Sequence, residues 1–201
     1  MLQKIAFLGL FCFAMLAHAE GGYEPLTPAQ PVQNPDKIEV IEFFWYGCPH
    51  CYHLEPAIAA WLKTKPANVQ FIRQPAVFSE AWGKHAKAFF TAEALGIGEK
   101  VHADFFDAIQ NKKEKLQTEE ELQKFFAEHG VKEEDFRNAY NSFAVYTKVR
   151  QAEDMSQRYG ITGVPTLIVN GKYRVNAQSA KTQENMLSIT NELIKQESQS
   201  K

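Results

Sequence analysis

The stretch Ile38-Glu39-Val40-Ile41-Glu42-Phe43-Phe44, followed three residues later by Cys48-Pro49-His50-Cys51, decides the fold of this chain of 201 residues. Its first segment is a short apolar run of the kind that predicts a buried strand. Residues 52–65 predict a helix, which Pro56 is expected to kink because proline removes a backbone donor. Two thiols separated by two residues at a strand-to-helix junction can close a small disulfide and reopen it. The pattern therefore predicts a redox centre.

The position of Cys48 predicts that it is the more reactive thiol. It is expected at the N-terminal end of the helix that carries Cys51. There, unpaired backbone N–H groups and the helix dipole favour negative charge, so we expect a low pKa for Cys48. His50 in its protonated form adds a second favourable interaction, and Pro49 holds the backbone at the helix start. A stabilised thiolate favours the reduced form, so the disulfide form is predicted to be a strong oxidant.

Three other uses of a Cys-x-x-Cys pair fit this sequence less well. A structural zinc site needs four ligands, and His50 and His53 lie too close in sequence to supply the missing ones easily. Covalent haem requires a histidine directly after the second cysteine, where this chain has Tyr52. An inert structural disulfide is possible in an exported protein, but so short a loop gains little chain entropy from closure. We therefore expect no metal and no organic cofactor.

The N-terminus, residues 1–19, predicts a cleaved signal peptide. Lys4 supplies a positive start, residues 5–16 an apolar core, and Ala17-His18-Ala19 a small-x-small cleavage site. The third cysteine, Cys12, would be removed with this segment. Removing Lys4 leaves 21 of the 22 basic residues against 24 acidic ones, a net charge of about −3. The charges are interspersed, so nothing indicates a nucleic-acid partner.

The remaining sequence predicts an α/β domain that is split by a helical insertion. Residues 69–73 predict a second strand, and residues 166–169 and 172–175 predict two antiparallel strands. Asn170-Gly171 between those two strands is the strongest short hairpin pattern. A helix over residues 182–196 closes the chain.

Between the second strand and the hairpin, apolar residues recur with the period of a helix. Thr118-Glu119-Glu120-Glu121 has the spacing of a capping box at the start of one such helix. The expected division is residues 20–78 and 153–201 for the α/β domain and 79–152 for the insertion. His85, His102 and His129 fall in the insertion without matching ligands, and we expect surface or capping positions for them.

Two segments resemble the signature segments of a known family. They are Glu42-Phe43-Phe44-Trp45-Tyr46-Gly47-Cys48-Pro49-His50-Cys51-Tyr52 and Gly163-Val164-Pro165-Thr166-Leu167-Ile168-Val169-Asn170-Gly171-Lys172-Tyr173. The family is DsbA, the periplasmic thiol:disulfide interchange proteins of Gram-negative bacteria, and the likeness covers essentially the whole mature chain. It implies a thioredoxin-like fold with an inserted all-helical subdomain.

The resemblance also implies an activity and its partners. A monomeric dithiol oxidase of this kind donates the Cys48–Cys51 disulfide to newly exported proteins through a mixed disulfide. A DsbB-like membrane protein then reoxidises it in the periplasm. Two alternatives stay open: a reductase or isomerase of the same fold, and a non-catalytic chaperone for extended chains. Isomerases generally carry a separate dimerisation domain, for which the short N-terminal arm leaves no room.

The same resemblance points to three further site residues. It places Val164-Pro165 in a cis-proline loop against the cysteines, where the backbone of Val164 pairs with an extended substrate. It places Glu42 beneath Cys51, where the carboxyl relays that thiol's proton. Alternation along the strand puts Glu42 among apolar neighbours, so burial is expected to raise its pKa. The competing interpretation is a half-exposed acid paired with Arg73.

Overall fold

The computed structural model describes residues 21–200, so the predicted signal peptide and Cys12 lie outside the described residues. In chain order the elements are β1 (Glu24–Pro25), β2 (Ile38–Phe44), α1 (Pro49–Leu62), β3 (Val69–Pro75), α2 (Glu80–Ala94), α3 (Gly98–Gln110), α4 (Glu119–Glu128), α5 (Glu133–Tyr140), α6 (Phe143–Arg158), β4 (Thr166–Val169), β5 (Tyr173–Asn176) and α7 (Gln183–Gln199). Within this range no helix is long and apolar enough to cross a membrane.

The five strands form one mixed sheet in the order β1-β5-β4-β2-β3. β2 lies inside it, parallel to β3 and antiparallel to β4, and all seven of its residues are buried. A strand covered on both faces needs a nearly continuous apolar sequence, which explains the run that predicted it. The exceptions are Glu39 and Glu42, whose carboxyl groups are buried as well.

The hairpin between β4 and β5 is confirmed and turns at Asn170-Gly171. Both residues have positive φ, 50° and 65°, as the favoured two-residue hairpin turn requires. A Cβ atom at Gly171 would lie 2.1 Å from the backbone oxygen of Gln30, so the N-terminal arm excludes any larger residue here. The turn therefore also fixes where the arm crosses the sheet edge.

The five helices α2–α6 lie between β3 and β4 in the chain, as the predicted insertion requires. Thr118 and Glu121 form the predicted capping box at the start of α4. The predicted boundaries after residues 78 and 152 stay predictions; α6 extends over the second of them. The core of these helices includes Phe105 and Phe106 and is continuous with Cys48 and Cys51. The helical segment thus forms one wall of the cysteine site.

Candidate active site

Cys48 is the N-cap residue of α1, and Pro49 occupies the first turn of that helix. Its Sγ accepts a hydrogen bond from the backbone N–H of Cys51 at 3.5 Å. The same Sγ lies 3.3 Å from the carbonyl oxygen of Val164. Both cysteines are free thiols in this structure. Cys48 is 8% exposed and Cys51 is fully buried, so an incoming sulfur can reach only Cys48.

These surroundings lower the pKa of Cys48 to about 6. The largest cause is a hydrogen bond from the Cys51 side chain, which outweighs the opposing effect of burial. The backbone N–H groups of Cys51 and His50 and the charge of His50 lower this pKa further. The sequence predicted the helix N-terminus and His50 as causes; it missed the larger contribution of Cys51. At neutral pH Cys48 is therefore mostly thiolate.

Cys51 has the opposite shift. Burial raises the pKa of Cys51 well above its usual value, and the hydrogen bond that it donates to Cys48 raises it further. The negative charges of Cys48 and Glu42 act in the same direction, against a weaker lowering by the backbone of Trp45. Two thiols three residues apart are thus held in opposite protonation states.

Glu42 lies on β2, opposite Arg73 on β3 and Leu167 on β4. Its side chain is completely buried, and neither carboxyl oxygen has a hydrogen-bond partner among the described residues. Burial raises the pKa of Glu42 well above its usual value; repulsion from Glu55 adds to the rise and Arg73 opposes it. The half-exposed acid of the competing interpretation is not found, although Arg73 Nε does lie 3.7 Å from Glu42 Oε2.

Arg73 connects Glu42 to two further acids. Its Nη2 donates to Glu55 Oε2 at 3.0 Å, and its Nη1 donates to Glu99 Oε1 at 2.9 Å. Glu99 is on the surface, whereas the side chain of Glu55 is only 14% exposed. The guanidinium is therefore shared among three carboxyl groups, and the fully buried one has the longest contact with it.

His102 extends this group of charges into the helical segment. Its Nε2 lies 3.2 Å from Glu55 Oε1, and its Nδ1 lies 2.9 Å from the hydroxyl of Tyr46. His102 is 3% exposed and His85 is 2% exposed, so the expected surface positions of these two histidines are wrong. His129 does cap α4, since its Nδ1 contacts the Phe125 carbonyl oxygen.

The sequence reasoning missed Glu55, His102 and Tyr46 as members of the site. Glu55 follows Cys51 by four residues on α1, so a helical wheel could have placed both on one face. His102 had no such indication, because it contacts Glu55 and Tyr46 only through the packing of α3 on α1.

The loop before β4 completes the solvent side of the site. The Val164–Pro165 peptide bond is cis, as the resemblance implied, and Pro165 is buried. A surface cleft of about 290 Å³ is lined by His50, Gly163, Val164 and Pro165 from one side and Asn176 from another. Pro49 and His50 are exposed. The five other predicted site residues therefore lie around the two thiols: Glu42, Pro49, His50, Val164 and Pro165.

Comparison with known proteins finds the same family by sequence and by structure. Residues 72–188 match the family model for a DSBA-like thioredoxin domain. The thiol:disulfide interchange protein DsbA of Pseudomonas syringae pv. tomato is 45% identical over 175 residues, 87% of this chain and 82% of the relative. The DsbA of Azotobacter vinelandii is 46% identical over the same shares.

A solved structure supports the same grouping. The crystal structure of Pseudomonas aeruginosa DsbA aligns with a TM-score of 0.85 and 44% identity, over 89% of this chain and 93% of that one. The predicted thioredoxin-like fold with a helical insertion is thereby confirmed.

Proposed function

The chain belongs to the DsbA family of thiol:disulfide interchange proteins, and we propose that within this family it is a dithiol oxidase. It is a thiol:disulfide oxidoreductase that acts on the cysteines of substrate proteins. The direction of exchange is our proposal, and the opposite pKa shifts of Cys48 and Cys51 carry it. A stabilised Cys48 thiolate favours the reduced protein, so the disulfide form passes its bond on to substrates.

The reaction begins at Cys48 because its Sγ is the accessible one. A substrate thiolate attacks Cys48 Sγ, the Cys48–Cys51 bond breaks, and Cys51 leaves with the electron pair. A second substrate thiolate then attacks the substrate sulfur of the mixed disulfide, and Cys48 leaves as a thiolate. The substrate has gained a disulfide and the protein holds the two electrons. Cys48 is the better leaving group in the second step because of its low pKa.

The proton balance of Cys51 needs a nearby acid or base. As a leaving group Cys51 takes up a proton, and during reoxidation it must lose that proton again. Glu42 lies within electrostatic reach of Cys51, and its raised pKa makes it a better proton acceptor than an ordinary carboxylate. We assign that proton transfer to Glu42.

The substrate chain is expected to bind along the cleft beside the Val164–Pro165 loop. The carbonyl oxygen of Val164 lies 3.3 Å from Cys48 Sγ, so a backbone paired there brings its own cysteine next to Cys48. Pairing of this kind, an extended strand added to an existing edge, depends little on the substrate's side chains. Many exported proteins with free cysteines would therefore be substrates.

The partner, the compartment and the oligomeric state belong to the proposal as well. The predicted signal peptide over residues 1–19 supports location in the periplasm, where disulfides persist. Reoxidation by a DsbB-like membrane protein follows from the family resemblance, and so does a monomer. The proposed unit is residues 20–78 with 153–201, interrupted by the helical insertion 79–152.

The reduction potential of the Cys48–Cys51 pair tests the proposal directly. The purified protein is equilibrated with glutathione buffers of known ratio, and the reduced fraction is measured by intrinsic fluorescence. We expect a potential well above the thioredoxin value of about −270 mV. A value in the thioredoxin range would identify a reductase instead. A Cys48→Ser protein that still prevents aggregation but oxidises nothing would separate chaperoning from catalysis.

A further inference from the structure

A buried line of hydrogen bonds joins the helical segment to the acids around Cys51. It runs from Tyr46, two residues before Cys48, through His102 on α3 to Glu55 on α1. Glu55 also accepts from Arg73, and Arg73 lies opposite Glu42 on the neighbouring strand. Tyr46, His102 and Glu42 are each at most 3% exposed. Burying so many polar side chains near Cys51 costs free energy, which suggests that they have a function there.

The protonation states along this line can be assigned from its members. Burial raises the pKa of Tyr46 well above its usual value, so its hydroxyl keeps its proton and donates to His102 Nδ1. Burial lowers the pKa of His102, so the ring is neutral and carries one N–H. That N–H must lie at Nε2, where it donates to Glu55. Hydrogen bonds from His102 and Arg73, together with the charge of Arg73, lower the pKa of Glu55, although burial, the largest single cause, raises it.

We propose that His102 is a positioning residue for disulfide exchange, which holds the Glu55 carboxylate in place and so sets the charge that faces Glu42. The inference rests on the proposed function, in which Glu42 transfers the proton of Cys51. His102 itself touches neither thiol and acts only through Glu55. Its ring packs against Phe44, Phe89 and Phe106, and its two nitrogens contact Tyr46 and Glu55.

The charged groups that surround Glu42 make the effect of Glu55 predictable in sign. They are Cys51 and Glu55 on α1, Arg73 on β3 and Glu99 on α3. His102 is faced by Tyr46, Glu55, Arg73 and Glu99. The charge of Glu55 raises the pKa of Glu42, whereas the charge of Arg73 lowers it.

Loss of His102 therefore acts on Glu42 through Glu55. Without the hydrogen bond from His102, burial is opposed less strongly and the pKa of Glu55 rises. A less ionised Glu55 repels the Glu42 carboxylate less, so the pKa of Glu42 falls. The base that serves Cys51 then becomes active at lower pH.

The test isolates the step in which Cys51 loses its proton. Reduced protein is mixed with saturating glutathione disulfide, so that Cys48 forms a mixed disulfide with glutathione. Cys51 then loses its proton and attacks Cys48 Sγ, the Cys48–glutathione bond breaks, and glutathione leaves as a thiolate. The rate of this closure is measured by acid quench and mass spectrometry from acid to neutral pH.

The decisive pair of variants is His102→Phe and His102→Gln. Phenylalanine keeps the aromatic packing and loses both hydrogen bonds, whereas glutamine can still donate to Glu55 and accept from Tyr46. The acid limb of the pH–rate profile is the range in which the closure rate rises with pH. In His102→Phe we expect this limb to move to lower pH by about half a unit, which makes closure about threefold faster at a given pH on the limb. The limb of His102→Gln stays at the wild-type position. An unmoved limb in His102→Phe, or an equal shift in both variants, overturns the proposal.

Three controls make the outcome specific. Glu42→Gln should lack the limb altogether, which assigns it to Glu42. His129→Gln, which alters another histidine–acid pair of the helical segment, that of His129 with Asp104, should leave the limb in place. Tyr46→Phe frees Nδ1 of His102 and should give a smaller shift in the same direction. If His102→Phe does not fold, an unmoved limb in Tyr46→Phe overturns the proposal.

The proposed function and this inference fail in different ways. Absence of any mixed disulfide in the wild-type protein would remove the proposed function. Normal wild-type closure with an unmoved limb in the variants would remove only the role of His102.

Discussion

The two sides of the α1 N-terminus differ in almost every physical respect. On the solvent side, Cys48 lies between exposed residues and the Val164 carbonyl, and backbone N–H groups point at its sulfur. On the buried side, Cys51 is repelled by the charge of Glu42, which has no hydrogen-bond partner among the described residues. One side lowers a thiol pKa and the other raises it. The same residue type thus takes two roles because of solvent access and nearby charge.

The difference also shows how two cysteines in a four-residue motif can have different chemical roles. Cys48, as the N-cap residue, receives hydrogen bonds from the backbone and from Cys51. Cys51, one turn into the helix, donates to Cys48 and has the core behind it. The hydrogen bond between the two thiols therefore increases the difference between their pKa values, since it lowers that of Cys48 and raises that of Cys51.

The largest expected effect comes from removing each of the two thiols in turn. Cys48→Ser should reduce oxidation of a reduced substrate protein to the uncatalysed rate, because only Cys48 is reachable. Cys51→Ser should still attack a disulfide through Cys48 but accumulate mixed disulfides, visible on non-reducing gels. Equal loss in both variants, with no trapped complex, would contradict the division of roles.

A second prediction concerns the free energy of unfolding that is lost by burying the Glu42 carboxyl group. Glu42→Gln should raise the free energy of unfolding by about 1–3 kcal/mol at neutral pH, because it removes a buried carboxyl group that has no hydrogen-bond partner among the described residues. The folded-state pKa of Glu42 is raised, so the native protein binds a proton that the unfolded chain has lost. Wild-type stability therefore falls as pH rises from about 4.3 towards the folded pKa, and the advantage of Gln grows over that range.

Urea unfolding of wild type and Glu42→Gln across this pH range measures that advantage. Arg73→Gln provides the opposite case: it removes the cation that lies 3.7 Å from the Glu42 carboxyl group and should destabilise the protein as pH rises. A Glu42→Gln advantage independent of pH would show that the carboxyl group does not titrate as argued.

A third prediction ranks the causes of the low pKa on the solvent side. Thiolate absorbance should titrate near pH 6 in the reduced wild-type protein. Cys51→Ala should raise the pKa of Cys48 more than His50→Gln does, because the Cys51 side chain is the largest cause and the His50 charge the smallest. The reverse order would mean that the charge between the cysteines dominates.

The linked stability of the reduced protein has a definite sign. Since the folded pKa of Cys48 is lowered, the thiolate contributes stability above the unfolded pKa, and that contribution is lost as pH falls through about 6. The difference in unfolding free energy between reduced wild type and Cys48→Ala should therefore shrink as pH falls from 9 to 6, roughly the span between the two pKa values.

The smallest expected effect lies at the contact between α7 and the motif. Gln183 donates from its side chain to the carbonyl oxygen of His50, on the exposed side of α1. Gln183→Ala should change the unfolding free energy by no more than about 0.5 kcal/mol and leave the Cys48 titration unchanged. A shifted titration would mean that α7 helps to position the motif.

Much of the architecture followed from local pattern. The apolar run of β2, the Asn170-Gly171 turn and the capping box at Thr118 each have one physical explanation, and the structure contains all three. The expected surface positions of His85 and His102 failed for a clear reason. A single histidine in a helix carries no information about burial until the neighbouring elements are in place.

The sequence alone predicted that the site consists of two thiols at the start of a helix. It could do so because an N-cap position and the backbone donors around it are local properties of the chain. Only tertiary packing decided how far each pKa is shifted and how strongly the two thiols differ. Glu55 meets Arg73 across 18 positions, His102 meets Glu55 across 47, and Tyr46 meets His102 across 56. Burial and distant charge set the pKa of each group, and both exist only once α1, β3 and α3 have come together.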